Sequence, residues 1–313
     1  MNSRRIFIKK TALASAAISM STFYACANKT QINMPKISLA QWSLNLAFFG
    51  KTLDPINFAS IAKNDFGISA IEYVNQFYAS HATNEKFWNE MATRAADAGV
   101  QNLIMMVDEE EKLGDTSIVK RKKAVEDHYK WVHAAKLLGC HSIRVNAFGE
   151  GSPEELETSL IDGLGRLTAY AAKEKINVII ENHGLHTSNA HFIISIIEAV
   201  NNSFLGTLPD FGNWCLNEEW GSTQKTKNCT NVFPPEQGIA AFLPYAKGVS
   251  AKSYAFNEQG FDTTIDYRKL LKLVKDSDFD GHIGIEFEGE NMSEPEGIKA
   301  TKALIEKVWS SLD

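Results

Sequence analysis

Asn177-Val178-Ile179-Ile180-Glu181-Asn182-His183-Gly184 is the stretch on which the reading of this chain turns. An apolar, β-branched run of this kind reads as a buried strand. It ends abruptly in a carboxylate, an amide, an imidazole and a glycine. Side chains two apart on a strand share a face, so Glu181 and His183 point the same way. A carboxylate and an imidazole converging at the end of a buried strand cost free energy unless a metal ion or a polar substrate partners them. The same event recurs at Thr207-Leu208-Pro209-Asp210 and at Gly284-Ile285-Glu286-Phe287-Glu288. Three apolar runs ending in acids read as one site.

Outward from this stretch, strands and helices alternate. Strands are expected at 37–42, 68–74, 100–107, 142–146, 176–181, 204–208, 248–252 and 283–287. The intervening helices fall at about 54–64, 84–98, a segment ending at Gly139, one opening at Ser152, then about 188–200, 236–245, 266–276 and 294–312. Ser152-Pro153-Glu154-Glu155 is a capping box with proline in the first turn, and Leu156, Leu160, Leu164, Leu167 and Ala171 follow at helical spacing. Eight strand–helix pairs with apolar strands predict an α/β protein, a parallel sheet clothed in helices. A single (β/α)8 TIM barrel fits best, with its chemistry at the carboxyl ends of the strands. A doubly wound open sheet is the alternative, weakened because no Gly-x-Gly-x-x-Gly follows the first strand. The expected organisation is an export signal at 1–26, a polar linker at 27–35 and the barrel at 36–313.

The totals narrow the function. The chain has 313 residues, 44% of them hydrophobic, and a net charge of -6. That balance argues against a nucleic-acid partner, which needs a basic surface. No uninterrupted apolar run reaches the roughly 18 residues of a membrane span. Ser3-Arg4-Arg5-Ile6-Phe7-Ile8-Lys9-Lys10 matches the twin-arginine export pattern and precedes a small, mildly apolar segment. Phe23-Tyr24-Ala25-Cys26 resembles a lipoprotein cleavage box, with Cys26 as the lipid-bearing residue. The expected location is therefore the periplasm or the membrane surface. Cys215 and Cys229 flank a polar loop; in an oxidising compartment they could pair, or both could stay reduced. Cys140, at the start of a strand, reads as a small core residue.

Position in a barrel sorts the remaining polar groups. His141 and His282 precede their strands and lie on the face away from the chemistry. His128, His133 and His191 fall within helices, whereas His183 and His186 follow the fifth strand on the reactive face. Glu181, Asp210 and Glu286 end the fifth, sixth and eighth strands. Held close, three carboxylates repel one another and raise each other's pKa, and a divalent cation relieves that repulsion. An all-oxygen set suits Mg or Mn, and an added histidine admits Zn or Co. Each acid could instead cap a helix or pair with a nearby base. Lys252 could stabilise an oxyanion, bind a sugar hydroxyl or form a salt bridge. Arg144 and Asn146 share parity at the end of the fourth strand and could hold substrate oxygens, or Arg144 could pair within the core. Trp42, Phe211 and Trp214 are candidates to stack on a sugar face, or simply to pack.

These pieces together resemble the sugar phosphate isomerase/epimerase superfamily with the xylose-isomerase-like barrel. The carriers are Glu181-Asn182-His183-Gly184, Pro209-Asp210-Phe211-Gly212-Asn213-Trp214, Ser250-Ala251-Lys252-Ser253 and Gly284-Ile285-Glu286-Phe287-Glu288-Gly289. Ala40-Gln41-Trp42-Ser43 and Ile71-Glu72-Tyr73-Val74 add support, and the likeness spans the chain from Ile37 onward. The resemblance implies a metal held by Glu181, Asp210 and Glu286. It also implies a reaction by proton abstraction next to a carbonyl, with Glu181 and Glu286 on opposite faces of a small-molecule sugar or cyclitol. Two positions depart from the family. Its strand-seven His-x-Lys reads Ser250-Ala251-Lys252, and the His three residues past the Asp is Asn213. The fourth ligand then falls to His183 or water. Endonucleases with this barrel need a histidine-rich multi-zinc site and a basic face, and both are missing here. A 3-keto-glycoside lyase using the same metal site, with the loop 211–235 making room for a leaving group, is the enzymatic alternative. A sugar-binding lipoprotein without catalysis is the third reading. The sequence leaves the oligomeric state open.

Overall fold

The computed structural model describes residues 34–221 and 228–312. Eight parallel strands form one sheet in the order β6-β5-β4-β3-β2-β1-β8-β7. They are β1 Lys36–Ala40, β2 Ala70–Val74, β3 Gln101–Val107, β4 Ser142–Val145, β5 Asn177–Glu181, β6 Leu205–Leu208, β7 Val249–Ser253 and β8 His282–Phe287. The ring joins through parallel bridges Thr207·Ala246 and Asp210·Ser250. Main-chain bonds there run from Lys247 N to Thr207 O (3.0 Å), Ser250 N to Pro209 O (2.9 Å) and Phe211 N to Ser250 O (3.0 Å). The protein is a single (β/α)8 barrel of the α/β class.

Local chemistry sets the helix ends where the sequence pattern placed them. Ser152 and Ser293 form capping boxes with Glu155 and Glu296, satisfying backbone donors at each helix start. Asn84 and Asp266 accept from the third residue of their helices. The helix expected from about 188 starts at Ala190, because Asn189 rather than Ser188 is the cap. Gly67 and Gly139 close their helices in the left-handed conformation, at φ 66° and 80°, where a Cβ would be strained. Gln41 and Trp42, expected in β1, leave the ladder in a 3-10 turn. There the Gln41 amide accepts from Val74 N at 2.9 Å and donates to the Tyr78 hydroxyl at 2.8 Å, tying β1 to β2.

Two apolar regions follow from the strands' alternation. Val178 and Ile180 face outward into the large core shared with the helices, whereas Ile179 joins Ala40, Val74, Leu103, Ile104, Met106 and Leu208 inside the ring. The same parity turns Glu181 inward above Ile179. Outward Ile143 and Val145 leave Arg144 inside, outward Val249 and Ala251 leave Ser250 and Lys252 inside, and outward Ile285 and Phe287 leave Glu286 inside. A dry apolar plug at mid-barrel thus supports a charged layer at the mouth. No described helix is long and apolar enough to cross a membrane.

Candidate active site and metal centre

Glu181, Asp210 and Glu286 are buried and converge, each offering one oxygen such that all three atoms lie within 4.8 Å of one another. β5, β6 and β8 deliver them to one end of the barrel, as their strand-end positions suggested. Asp210 is held by its own turn: Oδ1 accepts from Gly212 N (2.7 Å) and Asn213 N (3.0 Å). Asn182 links this turn to β5, accepting from Asp210 N at 2.7 Å and donating to Asp210 O at 3.0 Å. Asp210 Oδ2 and Glu286 Oε2 are left to face Ser250 Oγ, at 2.5 and 2.9 Å. One hydroxyl has one proton and serves one acceptor at a time, so the second acid oxygen must hold a proton or face a cation.

Electrostatics point the same way. Burial raises the Asp210 pKa to about 7 even though Lys252 opposes it, and Glu286 adds to the rise. Burial likewise lifts Glu181 well above the usual carboxylate range, with Arg144 opposing and Glu286 and Asp210 reinforcing. Glu181 Oε2 has no hydrogen-bond partner: Arg144 Nε lies 2.9 Å away but is not aligned to donate. Three buried carboxylates, each with an oxygen within 4.8 Å of the others', form a donor set that a hard divalent cation satisfies. The residues present fit such an ion.

Two cations are built into the site. Lys252 is buried, with Nζ 3.2 Å from Glu286 Oε1, 3.1 Å from Glu288 Oε1, 4.0 Å from Asp210 Oδ2 and 3.3 Å from Asn213 Oδ1. Burial alone would depress its pKa, but Asp210, Glu286 and Glu288 outweigh burial and keep it charged. Arg144 binds Asp108, which also accepts from Asn146 Nδ2 at 2.8 Å. Despite burial, Arg144 holds Asp108 below the usual carboxylate range. Asn213 Nδ2 reaches Glu181 Oε1 at 3.4 Å.

His183 stands apart from the acid cluster. Its Nδ1 lies 2.9 Å from Asn146 Oδ1 and its ring stacks on Phe148 at 6.4 Å. Burial and Arg144 push its pKa down to about 3, so it is neutral and lines the pocket without joining the three acids. His186 is structural, its Nε2 bound to Ala147 O at 2.6 Å.

Above the acids lies a 510 Å³ cavity lined by Arg144, His183, Asn213, Lys252, Glu286 and Trp42 among others. A larger hollow of 760 Å³ opens at the other end of the barrel, between the segments that precede β7 and β8, and holds none of the candidate site residues. Phe211 and Trp214 do not face the cavity: they are buried at 1% and 0% exposure against Tyr267 and Phe242. The Asp210 turn sends the chain back into the helix layer, so these rings pack rather than stack on a ligand. Cys215 and Cys229 are joined in a disulfide, and Cys140 is a buried thiol whose pKa burial pushes up.

Some site residues escaped the sequence reading. Asp108 terminates the apolar run of β3 in the same way that Glu181 terminates β5, and that signal was present. Glu72 is buried inside β2 with Ser38 Oγ donating to Oε1 at 2.6 Å and with Oε2 unpartnered. Burial raises its pKa to about 7. At the rim, Trp220 from the loop after β6 and Phe49 at the end of the short helix Asn45–Phe49 edge the cavity, from segments that carry no readable periodicity.

The export segment, its arginines and Cys26 lie outside the described residues.

The fold has many structural relatives. The 3-keto-D-glucoside 4-epimerase from E. coli superposes with a TM-score of 0.66 at 14% identity, covering 87% of this chain and 99% of that one. A xylose isomerase-like TIM barrel protein from Mycobacterium smegmatis, in complex with magnesium, gives 0.61 at 15% identity, with 90% and 98% covered. The probable 3-DHS dehydratase from Bacillus anthracis gives 0.60 at 14% identity, with 86% and 98% covered. No curated protein matches the chain. The family model for the xylose isomerase-like TIM barrel matches residues 61–308, and the chain belongs to that family.

Proposed function

We propose that the protein is a metal-dependent isomerase or epimerase that moves a proton next to the carbonyl of a carbohydrate or cyclitol. The observation that carries this reading is the convergence of Glu181, Asp210 and Glu286 at the pocket that Glu286 lines. Glu181, Asp210 and Glu286 would hold the cation, with Mg or Mn favoured by the oxygen donors. Bound there, it would polarise the substrate oxygens and stabilise the charge that develops on them.

The chain's own residues supply the rest. Glu181 and Glu286 rise from β5 and β8, three strands apart around the ring, and would reach the substrate from different sides, one removing a proton and the other returning it. Burial raises the Glu181 pKa in the metal-free site, and a bound cation would pull it back toward the carboxylate that removes a proton. Lys252 Nζ and Arg144, anchored by Glu288 and Asp108 respectively, present positive charge where an oxyanion forms. Asn146 and Asn213 stand beside them as hydrogen-bonding groups for hydroxyls, and the neutral His183 bounds the pocket. Export suits a neutral sugar rather than a phosphorylated one, and an oxidised cysteine pair is consistent with export. A lipid anchor at Cys26 would hold the barrel at the membrane surface.

Elimination of an aglycone from a 3-keto-glycoside begins with the same proton removal and remains the second reading, favoured by the size of the cavity. The test is incubation of Mn-loaded protein with keto sugars in D2O. Solvent deuterium entering next to the carbonyl without change of composition supports the isomerase, and release of an aglycone supports the lyase. Purified protein that binds sugar, lacks stoichiometric metal and exchanges no proton would instead support the non-catalytic binding protein.

A further inference from the structure

Exposed aromatic rings gather at the mouth of this pocket. Phe49 is 54% exposed and Trp220 is 47% exposed, and both line the cavity. Single exposed apolar residues are ordinary, but these two edge the same pocket and would contact whatever fills it. The two come from opposite sides of the ring. Phe49 ends the short helix Asn45–Phe49 after β1 and contacts Trp42 at 6.1 Å. Trp220 belongs to the loop after β6, but that loop folds over the end of β5, the strand across the barrel from β1.

Trp220 is placed with care. The Gly184·Glu219 bridge and bonds from Leu185 N to Glu218 O (3.0 Å) and Gly221 N to His183 O (3.3 Å) lay the loop on β5. A Cβ on Gly184 would stand 2.2 Å from Glu218 O, and one on Gly221 would stand 2.7 Å from Gly184 Cα, so only glycines permit this approach. The Cys215–Cys229 disulfide closes the same loop. Trp220 itself adopts φ +58°, a conformation a bulky residue avoids unless its surroundings impose it. Its ring stands nearly perpendicular to His183 at 4.8 Å and to Phe148 at 5.3 Å.

We propose that Trp220, facing Trp42 and Phe49 across the mouth, forms a second subsite that takes the outer ring of a glycoside, the sugar at the acid cluster being its inner ring. The proposal rests on the function given above. A cavity of 510 Å³ lies within the range of about 300–1,000 Å³ that accommodates drug-sized ligands, and a lone sugar ring at the acids would leave the aromatic rim wet. A pyranose face and a planar aglycone share the chemistry such a rim recognises: an apolar ring face with polar edges.

The test is calorimetric titration of Mn-loaded full-length protein with methyl glucoside, phenyl glucoside and a glucose disaccharide, in both anomeric forms. At least tenfold tighter binding of one two-ring ligand than of methyl glucoside is expected, and which of the two gains identifies the outer ring. Trp220→Ala and Phe49→Ala should each erase most of that advantage and leave methyl glucoside binding within about twofold. Trp220→Phe, which keeps a ring, should retain it. Equal affinity for all three ligands, no binding of any, or an advantage that survives Trp220→Ala overturns the subsite. Deuterium exchange without a two-ring preference would remove the subsite and keep the reaction. A two-ring preference without exchange would do the reverse.

Discussion

Ser250 Oγ reaches Asp210 Oδ2 at 2.5 Å across the joint between β6 and β7. The hydroxyl draws Asp210 toward Glu286 and leaves the candidate centre with oxygen donors. Ser250→His would add a nitrogen ligand and shift preference toward Zn and Co. Metal titrations of the two proteins should show Zn affinity rising about tenfold or more relative to Mg. Ser250→Ala, which removes a hydrogen bond to charged groups worth roughly 1.5–3 kcal/mol, should lower the melting temperature of the metal-free protein.

Glu181→Gln and Glu286→Gln should each lower turnover by about 10²–10⁴-fold, the usual contribution of a positioned acid or base. The fold should survive, because burial disfavours the charge on Glu181 and the amide carries none. Circular dichroism checks the fold and deuterium incorporation next to the carbonyl checks the chemistry. Full activity in either variant would remove that residue from the mechanism.

Glu72 gives a pH signature of its own, to which burial contributes most and repulsion from Glu286 a smaller part. Burial raises its folded pKa from 4.5 to about 7. The folded protein therefore binds more protons than the unfolded chain between those values, and stability falls as pH rises through that window. At pH 8 the buried charge costs on the order of 3 kcal/mol. Glu72→Gln should be more stable than the parent at pH 8 and equal to it below pH 4.5, as read by denaturant melts at both pH values. A variant less stable at pH 8 would show that the Ser38 bond outweighs the burial.

The Cys215–Cys229 pair encloses a loop with a sequence separation of 14. In the chain-entropy account, closing a loop near that length contributes about 3 kcal/mol. Replacing both cysteines by serine should lower the melting temperature by roughly 5–10 °C. A reductant should reproduce the fall in the parent and do nothing to the variant.

The features legible in the sequence were those with a period. Parity put Glu181 with His183 and Arg144 with Asn146, and strand-end position gathered Glu181, Asp210 and Glu286, because a strand alternates strictly and both faces of a barrel strand are buried. Caps at Ser152 and Gly139 marked helix ends through local hydrogen bonding and a left-handed φ. Loop geometry was not legible. Whether Phe211 and Trp214 stack or pack was left open by the sequence, and they turn away with the Asp210 turn, whereas Trp220 enters the pocket because two glycines let its loop lie on β5. Asp108 could have been found by the strand-ending rule that found Glu181. Glu72 could not, since nothing in Ile71-Glu72-Tyr73 distinguishes an inward acid held by Ser38 from one facing a neighbouring base.

Seven of the barrel's strand pairs run as ladders, that of β2 and β3 with a register shift at Ile71/Glu72, but β6 and β7 meet only at isolated bridges. Pro209, with no amide hydrogen to donate, interrupts the edge at that point. This joint is the place where the cylinder is most easily unzipped, and it carries Asp210 on one lip and Ser250 on the other. Whatever clasps those two side chains also fastens the hoop, so occupancy of the centre should be felt as slower amide exchange along both lips.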